Sequence, residues 1–493
     1  MKKILIALVL VVIAAVAAGP YLIGSQIEKT SKQLVQKGNQ QLVELIQSNP
    51  QIESGSITLD QYDKGYLSSK ATSTVSLTML GFGEPKQFTI PFNTDITHGP
   101  YLGEAGLGLA RIVSRPDLSG LDLPDAINDD TVIVEGIVDF SQAMTETLTV
   151  APVKYTNEEG NTVDFAGAVI NSKSHLQNRA TFTADMNVQQ LKLGSEEEAN
   201  ILTLKPFKVD IEGDGDSSAQ TGNYSVDSSM IEASMGEGVS IVLQKMAMSG
   251  NYKKAKGADI YLGDGDLTLT DLVITNPEAL DKPLKLPELT FNSKLEQSAN
   301  NDLSISAIYK GKLDSSMMAL MNSPVDVKTA ELAVQFKAIP VKVITEYQGL
   351  IKDLMSQTDQ TKAAETMQAK IFELIQMLAN NAASTSINVK ANAQEGDLIA
   401  DIDTGFKPGV NFDAAQMMQL LAAPSPSSIM PLLVGRGNVS LSKGVTDKAG
   451  LTPMIQVMAA EFVTLKDDKF IADLQITDGQ LLINGTPLPL SPQ

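Results

Sequence analysis

Side chains able to move protons near neutral pH are scarce here: His98 and His175 are the two histidines among 493 residues. A Ser-His-Asp triad needs one of them as its base, yet no Gly-x-Ser-x-Gly elbow supplies the serine. His98 precedes Gly99-Pro100, where a tight turn ending a strand is expected. His175 lies in Ser172-Lys173-Ser174-His175-Leu176, whose polar neighbours suit a solvated strand or loop. Two histidines without any cysteine do not make a structural zinc site. The absence of cysteine also removes thiolate nucleophiles and disulfides.

Oxygen ligands are more plentiful. Asp210-Ile211-Glu212-Gly213-Asp214-Gly215 matches the first half of an EF-hand loop, with glycine sixth. Its twelfth position is Thr221, where a bidentate glutamate is needed, and the flanks alternate like strands. A glycine-aspartate hairpin turn is therefore expected there, and again at Gly263-Asp264-Gly265-Asp266. Gly435-Arg436-Gly437-Asn438 lacks the later glycine and the lysine of a phosphate loop, so it reads as a solvated hairpin. No catalytic, cofactor-binding or metal-binding residue is assigned, no cofactor is called for, and a non-enzyme is expected.

The elements that would position any site are mostly strands. Ser56-Ile57-Thr58-Leu59-Asp60, Thr74-Val75-Ser76-Leu77-Thr78-Met79 and Lys86-Gln87-Phe88-Thr89-Ile90 largely alternate apolar and polar residues. So do segments within 201–211, 266–270, 288–291 and 303–308. Period two with turn residues between predicts antiparallel sheets with one wet and one buried face. Without helix-sized crossovers, a parallel α/β sheet is not expected. Two helical faces break the pattern. One runs through Ile344, Tyr347, Ile351, Leu354 and Met355, the other through Met367, Ile371, Leu374, Ile375 and Leu378. The polar Ser356–Gln360 between them fits either a turn of an αα-hairpin or the wet middle of one helix. A third helix is predicted over 414–422 with Asp413 as its N-cap. It leads into a Pro424-Ser425-Pro426 linker, after which strands return at 438–441, 470–476 and 479–485.

At the N-terminus, Lys2-Lys3 lead into an uncharged apolar run from Ile4 to Ile23. A basic n-region before an apolar h-region addresses a chain for export. About 20 apolar residues also suffice to span a bilayer. Pro20 suits the start of a mature chain poorly, so a retained single-pass inner-membrane anchor is expected over a cleaved signal. The positive-inside rule puts the bulk of the chain in a Gram-negative periplasm. Ile27, Leu34, Val35, Leu42, Leu45 and Ile46 continue at helical spacing as an amphipathic stalk. A formal charge of −20 argues against nucleic acid as a partner and against broad attraction to anionic membranes.

Four local features converge on one family: the anchor with its stalk, Gln61-Tyr62-Asp63-Lys64-Gly65-Tyr66-Leu67-Ser68-Ser69, His98-Gly99-Pro100, and the closing Leu481-Leu482-Ile483-Asn484-Gly485. Together they resemble the domain-of-unknown-function 945 (YdgA-like) family of bacterial envelope proteins. Lys64 and Tyr66 stand where that family commonly has arginine and tryptophan. The resemblance implies an inner-membrane or periplasmic protein, and it implies no activity.

The expected fold is α+β, mainly antiparallel β, with an elongated β-rich periplasmic body. Its parts are an anchor over 1–24, a stalk over 25–50, a β-rich domain over 51–339, a helical insertion over 340–422 and completing strands over 423–493. The expected function is non-enzymatic binding or scaffolding in the envelope, with membrane, lipid or another envelope protein as partner. One alternative is a carrier of lipid or acyl chains in a concave apolar sheet. For that role Met417, Met418, Leu420 and Leu421 offer adaptable apolar cover, though methionine also fills ordinary cores. The other alternative is a serine- or carboxylate-dependent hydrolase.

Overall fold

The computed structural model describes Val35, Asn39, Leu42 and Ile46. It then describes residues 52–488 except 80–85, 122, 177, 196–198, 216–220, 229, 237, 256–259, 357–359 and 411–429. The anchor at 1–24 and the helix at 414–422 therefore lie outside the described residues. Among those described, no helix is long and apolar enough to cross a membrane. Strand outweighs helix by 62% to 14%, so antiparallel pairing supplies most of the backbone hydrogen bonds. The chain divides into two compact units, Met1–Gly236 and Glu237–Gln493. That boundary falls inside the stretch 51–339.

In the first unit, β1 (Ile52–Lys64), β2 (Ser68–Met79), β3 (Lys86–His98), β4 (Ala110–Pro116), β5 (Val132–Val138) and β6 (Ala143–Val150) pair successively, all antiparallel. A branch follows of β7 (Val153–Thr156), β8 (Asn161–Phe165), β11 (Leu191–Ser195), β12 (Asn200–Leu204) and β15 (Ile231–Met235). The main sheet continues from β6 through β9 (Ala168–His175), β10 (Asn178–Val188), β13 (Phe207–Asp214) and β14 (Thr221–Ser228). Strict alternation puts Ile90, Phe92 and Ile96 on one face with Val75, Leu77, Val132 and Val134, where they form the dry core. The four described residues of the stalk are helical, and Leu42 is buried among Ile52, Ile57 and Leu77. At those positions the amphipathic pattern is explained by packing on the sheet. Asn39 reinforces it, because its amide accepts from the Ile57 N–H and donates to the Ile57 carbonyl, both at 2.8 Å.

The second unit holds β16 (Val239–Lys254), β17 (Tyr261–Thr275), β18 (Leu284–Gln297), β19 (Asp302–Lys312), β20 (Val327–Pro340), β21 (Ser384–Ala393), β22 (Gly396–Phe406) and β23 (Leu433–Ser442). These pair in sequence, and β23 then pairs with β25 (Lys469–Thr477). Short strands β24 (Thr464–Lys466), β26 (Gln480–Ile483) and β27 (Thr486–Pro487) finish the sheet. Helix α1 (Ser315–Leu320) begins at Asp314, whose side chain accepts from Ser316 N, and α4 (Lys443–Lys448) and α5 (Thr452–Met458) are equally short. Helices α2 (Val341–Ser356) and α3 (Gln360–Asn380) form an αα-hairpin, one of the two arrangements the sequence allowed, bridged where Lys370 Nζ meets Glu346 Oε2 at 3.1 Å. Leu350 and Leu374 bury themselves against Leu303 and Ile339 at one end of the sheet.

Two expectations need correction. The interval 340–422 is not helical throughout, because β21 and β22 occupy 384–406. Ser386-Ile387-Asn388-Val389-Lys390 alternates, and that period prevailed over the helical neighbours. Gly263-Asp264-Gly265-Asp266 is not a turn but the early part of β17, paired with both β16 and β18. Glycine is required there by contact: a Cβ on Gly263 would sit 2.0 Å from the Asn251 carbonyl oxygen.

Candidate functional site

The paired strands of the second unit line up an apolar row. Directly opposed residues share a face of a sheet, so the row can be followed strand by strand. Met248 opposes Leu267, which opposes Phe291, and Phe291 opposes Tyr309. Tyr309 opposes Leu332, then come Val389, Ala400, Val439 and Ala472. Two residues along each strand a second row repeats the character, including Met246, Leu269, Leu289, Leu398 and Leu441. The rings of Phe291 and Tyr309 lie 4.8 Å apart, tilted by 43°.

The opposite face is polar. Asn292 donates to Asp266, Asn388 to Asp401, and Asn438 to Asp473 at 2.6 Å. Lys310 meets Glu331 at 3.4 Å on the same side. Solvent is thus the natural neighbour of that face, and the apolar face is the one that needs a cover. Among the described residues, helices α2 and α3 cover it near Leu295, Leu303 and Ile305. Beyond them Met248, Tyr309 and Leu332 are exposed, and the remaining members of their row are only half-buried.

The sequence motifs mostly turn out to be joints of the fold. His98 ends β3 and lies beside the β1–β2 turn: its N–H donates to Leu67 O at 2.8 Å, and its Nδ1 lies 3.3 Å from Tyr66 O. A carbonyl only accepts, so Nδ1 carries the proton and Nε2 accepts from Ser69 Oγ at 3.1 Å. This is the proton arrangement of a serine–histidine pair, but Ser69 is buried and a carbonyl occupies the carboxylate's place. What the contacts accomplish is to fasten two motifs, 61–69 and 98–100, into one joint. Replacing His98 by alanine leaves the Ser69 hydroxyl buried without its partner. A loss of about 1–3 kcal/mol is expected, read as a lower urea midpoint for the first unit.

Asn484 plays a similar part in the second unit. It sits at φ +47° and Gly485 at +80°, the backbone of a tight hairpin turn between β26 and β27. Its side chain accepts from Asp473 N at 2.9 Å and donates to Phe462 O at 3.0 Å.

His175 ends β9, where its Nε2 lies 3.0 Å from Ser141 O. Asp210 and Asp214 belong to β13, and Thr221 opens β14. Gly435-Arg436-Gly437-Asn438 lies inside β23, not in a hairpin, and Arg436 reaches Asp403 at 3.5 Å. Among the described residues no group of three or more histidine, aspartate or glutamate side chains is placed to hold a metal. One polar network was missed from sequence, because its members are far apart along the chain. Asp397 accepts from Ser442 Oγ at 2.5 Å and from Lys469 Nζ at 2.9 Å, joining β22, β23 and β25. The Ser442 hydrogen bond, then the Lys469 contact, hold its carboxyl below the usual range.

No curated protein and no solved structure matches the chain. The model of a family described as bacterial protein of unknown function (DUF945) matches residues 1–491. With its motifs forming the joints of both units, the chain belongs to the DUF945 family.

Proposed function

We propose that this chain is a non-enzymatic binding protein of the bacterial envelope, anchored through Ile4–Ile23, whose second unit receives the acyl chains of a lipid. The observation that carries the proposal is the open apolar row from Met248 to Ala472. Adjacent strands are about 4.8 Å apart, so eight steps across the sheet span roughly 38 Å. A 16-carbon chain laid along it gains on the order of 10 kcal/mol gross at about 0.8 kcal/mol per buried CH₂, before the ordering costs of binding. Export and anchoring are supported by Lys2-Lys3 followed by the apolar run. A hydrolase finds less support, since the Ser69 hydroxyl that bonds His98 is buried and a carbonyl stands where a triad has its carboxylate.

The test places a photo-crosslinking amino acid at Tyr309 or Asn388 of the full chain in cells. Lipid adducts at Tyr309 on the apolar face, and none at Asn388 on the polar face, are expected by mass spectrometry. Neither position forming a lipid adduct would leave a protein scaffold as the better account.

A further inference from the structure

The first unit has a second apolar feature, confined to one end of its sheet. β1 ends at Lys64, which pairs with Ser69, so the turn holding Tyr66 and Leu67 lies at that end. His98 at the end of β3 pairs with Ala110 at the start of β4, so the loop holding Tyr101 and Leu107 lies there too. Ala110 also pairs with Val138 at the end of β5, which adds the turn holding Phe140. These five side chains range in exposure from 58% for Phe140 to 95% for Tyr66. Among the described residues of this unit, Met235 is the one other exposed large hydrophobic side chain.

The three loops are held firmly. His98 fastens the Tyr66-Leu67 turn. The next loop is closed by Leu102 N donating to Gly106 O and Gly108 N donating to Pro100 O, at 2.8 and 3.1 Å. Asp139 accepts from Ser141 N and Ala143 N, at 2.8 and 2.9 Å, around Phe140. Large apolar side chains on built turns cost solvation with no benefit to this fold, which points to an occupant outside it.

The helical positions tell which occupant. Val35 packs against the cluster of Ile96, Ala110, Ile112, Val138 and Met144, which lies toward this end, and also against the neighbouring core cluster that takes Leu42. Asn39 bonds Ile57 at mid-strand, and Leu42 lies against Gly55 and Leu77 further along. Of the described helical positions, Val35 thus lies nearer than Leu42 to the end that carries the five exposed side chains. Ile23, the last residue of the apolar run, is 12 positions before Val35. Twelve residues reach at most about 40 Å. Tyrosine and phenylalanine suit the interfacial zone of a bilayer, and separate protruding tips suit a soft surface.

The geometry points to a membrane-seating edge: Tyr66, Leu67, Tyr101, Leu107 and Phe140 dip into the bilayer that holds Ile4–Ile23, orienting the first unit against it. This seat presupposes the anchor proposed above. Its ligand is the lipid surface itself, through apolar insertion, because a net charge of −20 gives no general attraction to anionic lipid.

The sequence contains no tryptophan, so each single tryptophan variant is a unique reporter. Tyr66→Trp, Tyr101→Trp and Phe140→Trp in the full chain, reconstituted into phosphatidylcholine–phosphatidylethanolamine vesicles with brominated acyl chains, serve as three independent probes. Ser119→Trp, in the connection at the opposite end of the sheet, is the reference. Flotation with the vesicles reports the anchor, and quenching reports the seat. Floating protein quenched several-fold more at the three tips than at residue 119 is the expected result. Floating protein with tips quenched no more than residue 119 would overturn the seat alone and assign the edge to a protein partner. Protein that fails to float would overturn anchor and seat together.

Discussion

Replacing Phe92 by alanine is expected to destabilise the first unit by about 3–5 kcal/mol, the range for emptying a fully buried phenylalanine site. Phe92 sits at the middle of β3, opposed by Ser73 on β2 and Pro116 on β4, and is wholly inaccessible to solvent. Its ring is surrounded by the apolar cluster that also takes Leu42, Ile57, Val75 and Val132. Strands on both sides fix the backbone, so the void cannot collapse by a strand moving inward. Domain stabilities are about 5–15 kcal/mol in total, so this one change removes a large share. Urea unfolding followed by far-UV circular dichroism should show a lower midpoint for one transition. Phe92→Leu should cost distinctly less, because it keeps most of the volume. An unchanged midpoint for Phe92→Ala would mean that the first unit has no dry core at this position.

The alternation that buries Phe92 is readable in the sequence of β2 and β3, and what it tells has a physical limit. Period two tells which side chains share a face, because successive side chains of a strand point to opposite sides. It does not tell what covers that face. On β3 the cover comes from Leu118, Ile127, Val153 and Phe165, and from Leu42 before the first strand. On β19 and β20 the pattern is equally regular, yet Tyr309 and Leu332 stay exposed. The candidate face was thus legible in part, through the alternating segments 266–270, 288–291 and 303–308. It was illegible at Val389 and Ala400, inside an interval expected to be helical, and illegible as an open surface. The joint between His98 and Tyr66-Leu67-Ser69 was hidden for a related reason. Its partners are about 30 residues apart along the chain and meet only once β2 and β3 have paired. Local composition also misled at Gly263–Asp266, where glycine meets a need for close backbone approach and not for a turn.

Leu332→Glu is expected to separate binding from folding. Leu332 lies between Tyr309 and Val389 in the apolar row and is exposed. Removing it should therefore change folding stability by no more than about 0.5 kcal/mol. Under an acyl chain the position becomes buried, so the variant loses the transfer gain of the leucine and must also desolvate a carboxylate. Taking about 2 kcal/mol as the minimum combined cost, binding weakens roughly thirtyfold or more. In cells carrying the photo-crosslinker at Tyr309, the lipid adduct should fall accordingly, with the circular dichroism melt unchanged. Asn388→Asp, one strand away on the polar face, should leave the adduct at its original level. An adduct that survives Leu332→Glu undiminished would mean that lipid reaches Tyr309 without lying along the row. A loss shared equally by Asn388→Asp would point to added negative charge instead of the apolar face as its cause.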